Sequence, residues 1–200
     1  MSELDFKEAM TAHWLKLGIG PREAAEKLQP ACGNVESLSE AKLTELEVTW
    51  RRERNAFYII LAILGGQWNR LAGFDCEDVE WPADHTRKVR YLAASTGGQF
   101  IVEDVEQTVE PNDDVRLTLA HRGNRYSFTF PHNGSWVNLS GLLNGLNHVL
   151  ECLGISERFI ELYLGGEGPG LVACVLPDVF LPVARELHIR LESTSNAEEV

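Results

Sequence analysis

Val115-Arg116-Leu117-Thr118-Leu119-Ala120-His121 and Arg125-Tyr126-Ser127-Phe128-Thr129-Phe130-Pro131 flank the pair Gly123-Asn124. Both runs alternate apolar and polar residues, the period of a half-buried strand. A Gly-first pair between two such runs suits a tight hairpin turn. With Gly123 and Asn124 at the turn, Arg122 faces Arg125 and His121 faces Tyr126. Leu119 then faces Phe128, and Leu117 faces Phe130. Ala120 meets Ser127 and Thr118 meets Thr129 on the opposite face. One face is apolar and one polar on both strands, so the pattern predicts an antiparallel pair resting on a core.

Downstream, Leu139, Leu142, Leu143, Leu146, Val149, Leu150 and Leu153 recur at helical spacing, which predicts an amphipathic helix over 138–153 closed by Gly154. Strands are expected over 158–164 and 171–176, joined by the loop Gly165–Gly170. A last helix begins near Asp178 or Pro182 and runs to Leu187, and a polar tail covers 193–200. Upstream, helices are expected over 3–17 and from Pro21 to Leu28. Ser37 and Glu40 form a capping-box pair, opening a long helix to about Leu64 that Gly65-Gly66 interrupts and 67–71 resumes. Residues 75–97 read as irregular, with breaks at Trp81-Pro82 and Gly97-Gly98, and a strand falls within 99–109. The fold class is α+β: N-terminal helices (1–74), then a domain (75–192) with a mostly antiparallel sheet in β-β-β-α-β-β-α order and helices on one face.

The hydrophobic content of 44% can bury a core. Met1 to Met10 contains no apolar signal-peptide core. The longest apolar run, Ala56 to Leu64, is less than half a membrane span. Cys32, Cys76, Cys152 and Cys174 form no CxxC pair and sit at no metal-ligand spacing, so reduced thiols are expected. Together these features point to a cytoplasmic protein.

The net charge of −12 is concentrated. Residues 75–114 hold eleven acids against three bases, a net of −8, while 1–74 are nearly neutral. Such a field disfavours nucleic acid and anionic membranes and attracts a basic partner. Glu103, Asp104, Glu106, Glu110, Asp113 and Asp114 are the candidate partner-binding residues. The other reading of this cluster is an edge strand guarded by charge.

No catalytic, cofactor or metal site is expected. The Gly165–Gly170 loop lacks GK[ST] and GxGxxG, and a strand follows it instead of a helix. His132 and Ser135 lie in a turn sequence with no nucleophile elbow. The six acids lack the spacing of a calcium loop. Residues 21–28 look like the first helix of a helix-turn-helix, but Gln29-Pro30-Ala31-Cys32-Gly33 replaces the turn and the basic helix.

The Leu-rich helix 139–153, the strand Arg158-Phe159-Ile160-Glu161-Leu162, the Gly165-Gly166 pair and the apolar strand into Pro177-Asp178 resemble the closing segment of bacterial toxin-immunity proteins. The resemblance covers residues 139–191. It implies a non-enzymatic inhibitor that binds and neutralises a cognate toxin, and the acidic region would suit a basic one. The strand and helix order with an acidic surface is also similar to type III secretion chaperones, although the long helical N-terminus departs from them. An enzyme with a dispersed site is the third reading, and self-association into a homo-oligomer is compatible with all three.

Overall fold

A computed structural model describes residues 3–77, 82–163 and 170–192, with side chains from Phe6 onward. The chain is α+β. Helices α1 (Glu3–Leu17), α2 (Pro21–Leu28), α3 (Glu40–Glu53) and α4 (Ala56–Leu61) come first, and a π-helical turn, Ala62–Gln67, extends α4. Strand β1 (Leu71–Phe74) and helix α5 (His85–Ala94) follow. Next come β2 (Val105–Val109), β3 (Asp114–His121), β4 (Asn124–Pro131), α6 (Leu139–Cys152), β5 (Arg158–Leu162), β6 (Gly170–Val175) and α7 (Pro177–Glu186). The expected β-β-β-α-β-β-α order is therefore present from β2 onward. The loop over 164–169, the break at Trp81 and the tail 193–200 lie outside the described residues.

The strands form two antiparallel sheets, ordered β1-β6-β5 and β2-β3-β4, where one was expected. The cause lies in β6. Its Ala173 and Val175 join a buried cluster with Trp14, Leu28, Ile60 and Phe180 from the helical layer. Its Val172 and Cys174 join a second cluster with Leu92, Leu142, Leu146 and Leu117. A strand covered on both faces reads as a continuous apolar run, as 171–176 does. Helix α5 touches β1 and β2, and α6 touches β4 and β5, so these two helices lie between the sheets. The layers run from α1–α4 with α7, through β1-β6-β5, then α5 and α6, to β2-β3-β4. The first cluster draws residues from both sides of position 74.

The hairpin forms, but in a different register. Leu119 pairs with Tyr126, Leu117 with Phe128 and Val115 with Phe130, so the expected Leu119–Phe128 pairing is wrong. The turn is Arg122-Gly123, with φ of 49° and 78°. Two left-handed residues with Gly second make a type I′ turn, whose twist matches the strands. The shift along β4 is two residues, and an even shift leaves every side chain on its expected face. Leu117, Leu119 and Phe130 are buried, while Phe128 is only partly so.

Four further local expectations are corrected. Ser39, not Ser37, caps α3, while the Ser37 hydroxyl bonds to Gln29. The helix expected to reach Leu64 breaks at Arg54, which is left-handed at φ 48° and donates its N–H to Trp50 O at 2.9 Å. Asn55 restarts it by accepting the Tyr58 N–H at 3.0 Å. Residues 71–74 are strand, pairing with β6. Within 75–97, expected to be irregular, Asp84 caps α5 by accepting from Thr86 N at 2.8 Å. The buried stripe of α5 includes His85 and Lys88, which hid its period. Lys88 Nζ donates to Asp75 O at 2.9 Å and lies 5.5 Å over the Phe74 ring, so its charge is satisfied inside.

Candidate functional site

With α5 and α6 against its inner face, the sheet β2-β3-β4 turns the other face outward. Glu106, Thr108, Arg116, Arg125, Ser127 and Thr129 are all exposed there. Of the six candidate acids, Glu103, Asp104 and Glu106 gather at one end, beside the Arg122-Gly123 turn. Glu103 and Asp104 extend the β2–β3 ladder against Ala120, and a Glu103 carboxylate oxygen accepts from Gly123 N at 3.4 Å. Glu110, Asp113 and Asp114 gather at the other end, in the β2–β3 turn, where Asp113 is left-handed at φ 65°. Glu106 and Glu110 are four residues apart, or about 13 Å along a strand. Glu110 is paired with Arg116 at 2.7 Å. Arg125 lies opposite Ala120, which pairs with Asp104. The charge of this face is therefore smaller than the −8 of residues 75–114 implied, because β3 and β4 interleave their arginines with the acids of β2.

Sequence reasoning missed a second feature, a buried charged centre bordered by Gly33, Gly97 and the ends of β1 and β5. Arg70 is 3% exposed and Glu157 5%. Arg70 Nε and Nη1 have no hydrogen-bond partner, and Arg70 makes no ion pair within 4.0 Å among the described residues. A Cβ on Gly33 would stand 2.8 Å from Glu157 Oε1 and 3.9 Å from Arg70 Nη2. A Cβ on Gly97 would meet the guanidinium at 3.0–3.2 Å. Both glycines have positive φ, so only Gly closes down on this pair without strain. Gln99 donates its amide to Glu157, and Cys174 N donates to Arg70 O at 2.8 Å. Burial pushes the Cys32 and Cys174 thiols up to about 12, which makes them poor nucleophiles. The four cysteines are unpaired in the structure. Nothing around Arg70 in the sequence marks it as buried, since a single basic residue between Asn69 and Leu71 reads as surface.

Elsewhere the titratable groups serve local structure. His132 Nδ1 accepts from Gly134 N at 3.0 Å, in keeping with the turn expected there. His85 Nδ1 donates to Gln107 Oε1 at 3.1 Å, and burial holds this imidazole below its ordinary pKa. Among the described residues, no group of three or more His, Cys, Asp or Glu side chains could hold a metal ion. No described helix is long and apolar enough to cross a membrane.

Glu161, on β5, is the carboxyl with a consequence for pH. Burial, and secondarily the charge of Glu192, pushes it up to about 7. The folded chain then binds this proton more tightly than the unfolded chain, whose Glu titrates near ~4.3. The stability it supports is complete below that value and is lost as pH rises through about 7. Glu161→Gln should therefore be more stable than wild type at pH 8 and indistinguishable from it near pH ~4 by urea titration. An equal difference at both pH values would contradict this reading.

Comparison of the chain with protein-family models, with curated proteins and with solved structures finds no match.

Proposed function

We propose that the chain is a non-enzymatic binding protein, an immunity protein that neutralises a cognate basic toxin by stoichiometric association. The observation that carries this reading is the uncovered outer face of β2-β3-β4, with Glu103, Asp104 and Glu106 grouped at its turn end. A polar sheet face held by paired strands can dock with little reorganisation, which keeps the entropic cost of association low. Opposite charge speeds encounter and selects the partner more than it tightens the complex. The Gly165–Gly170 loop, most of which lies outside the described residues, is a separate candidate for contact.

The test uses the product of a toxin gene adjacent to this one. The two proteins should co-purify at one to one, and the complex should lack toxin activity. The variant E103Q/D104N/E106Q should associate about 3–10-fold more slowly at low salt, with a flatter salt dependence. Its stability should change little, because exposed charges contribute little to folding. Equal association rates at low and physiological salt would remove the acidic face from the interface. Failure of the pair to form any complex would remove the immunity reading.

A further inference from the structure

At the opposite end of the layer stack from the acidic face, the C-terminal end of α7 and the segment after it present two arginines and a histidine. Arg185, His188 and Arg190 are exposed around a cleft of about 390 Å³, floored by Phe6 and Ile189. Neither Arg185 nor Arg190 makes an ion pair with the described residues. Glu186, the nearest acid in sequence to Arg185, is held on α2, its Oε1 accepting from Lys27 Nζ at 2.7 Å. Glu192 is tied into the β5 edge, where its N–H donates to Glu161 O at 3.2 Å.

The surroundings orient Arg190 and His188. Arg190 Cζ lies 4.4 Å from the centre of the Tyr163 ring. A guanidinium laid on an aromatic face keeps its rim of N–H donors open for a two-pronged bond to an oxyanion. His188 adopts a left-handed φ of 59°, strained for a residue with a Cβ. Its ring stacks on His13 at 4.9 Å. His13 is fixed in turn, with Nε2 donating to Glu186 O at 3.0 Å. The floor beneath is apolar: Phe6 is 1% exposed and packs edge-on against Tyr163.

We propose that the cleft of Phe6, Arg185, His188, Ile189 and Arg190 is a binding site for a small organic oxyanion, a phosphate or carboxylate carried on a ring-sized apolar body. Arg185 and Arg190 hold the charged head, His188 contributes a further donor, and the apolar body covers Phe6 and Ile189. The overall charge of −12 does not prevent this. At physiological salt, charges more than about 8 Å away are largely screened, so the local cations decide.

The probe is phenyl phosphate, titrated into the full-length protein while the imidazole NMR signals of His13 and His188 are followed. The signals should shift saturably, with an affinity at least about tenfold above that of inorganic phosphate, which carries the head without the body. R185Q/R190Q, at two exposed positions, should keep the fold by circular dichroism and weaken phenyl phosphate at least about tenfold. Three results would each overturn the assignment: no saturable shift, equal affinity for inorganic phosphate, or binding by R185Q/R190Q as tight as wild type.

Discussion

Trp14→Ala should destabilise the protein by about 4–5 kcal/mol, the upper range for truncating a fully buried aromatic side chain. Trp14 is 0% exposed and packs at 5.6 Å against Trp50. Its indole N–H also donates to Leu187 O at 2.8 Å, at the carbonyl end of α7, which has no helical partner of its own. Alanine therefore leaves a cavity between α1, α3 and α7 and an unsatisfied buried carbonyl. Trp14→Phe separates the two effects. It keeps much of the ring but loses the donor, and should cost about 1–3 kcal/mol. In a chain of this size Trp14→Ala should lower the melting temperature by roughly 10–15 °C, checked by calorimetry and urea unfolding. A loss below about 1 kcal/mol would mean that α1 does not pack on α7.

Gly141→Ala should also destabilise, although alanine is the better helix former by about 1 kcal/mol. Gly141 lies in the first turn of α6, where its missing side chain admits Phe130 of β4. A Cβ there would fall 2.7 Å from Phe130 Cβ and 3.0 Å from Phe130 Cγ. Those atoms sit next to the strand backbone and cannot swing aside, so β4 or α6 must shift. Overpacking of this kind costs about 1–3 kcal/mol, and here the strand shift places it near the top of that range, outweighing the propensity gain. The net loss should be about 1–2 kcal/mol. A Cβ on Gly145, one turn on, would run into the Phe128 ring, but Phe128 is only partly buried and its ring can turn outward. Gly145→Ala should therefore cost less, despite the shorter contact. The reverse order in thermal melts would refute the account of how α6 seats the hairpin.

The parts of the fold that could be read from the chain were those where one physical signal acted alone. The leucine stripe of α6, capped by Asn138, and the two-sided apolar run of β6 are of this kind. The hairpin faces were readable because alternation survives any even shift, whereas the register depended on whether Arg122 would accept a left-handed conformation. Helix α5 was hidden because Lys88 and His85 occupy core positions, Lys88 bonded to the Asp75 carbonyl over the Phe74 ring and His85 bonded through Nδ1 to Gln107, both partners distant in sequence. The same holds for the sites. The acids of β2 could be counted, but the arginines that dilute them lie on neighbouring strands. Arg70 and Glu157 are 87 positions apart and both border Gly33, while Arg190 gains its meaning from Tyr163 beneath it.

The position of β6 sets a timetable for the nascent chain. Among the described residues, strand β1 pairs with β6 alone, Leu71 with Ala173 and Phe74 with Gly170, about a hundred residues later. At synthesis rates of about 5–20 residues per second, the apolar sides of α1–α4 wait roughly 5–20 s for the strand that covers them. During that interval they are exposed to whatever else in the cell binds greasy helices. A ribosome stalled before residue 170 would hold a chain with every N-terminal helix in place and no sheet to close on. Synthesis of β6 is the event that covers the apolar sides of those helices, through Ala173 and Val175.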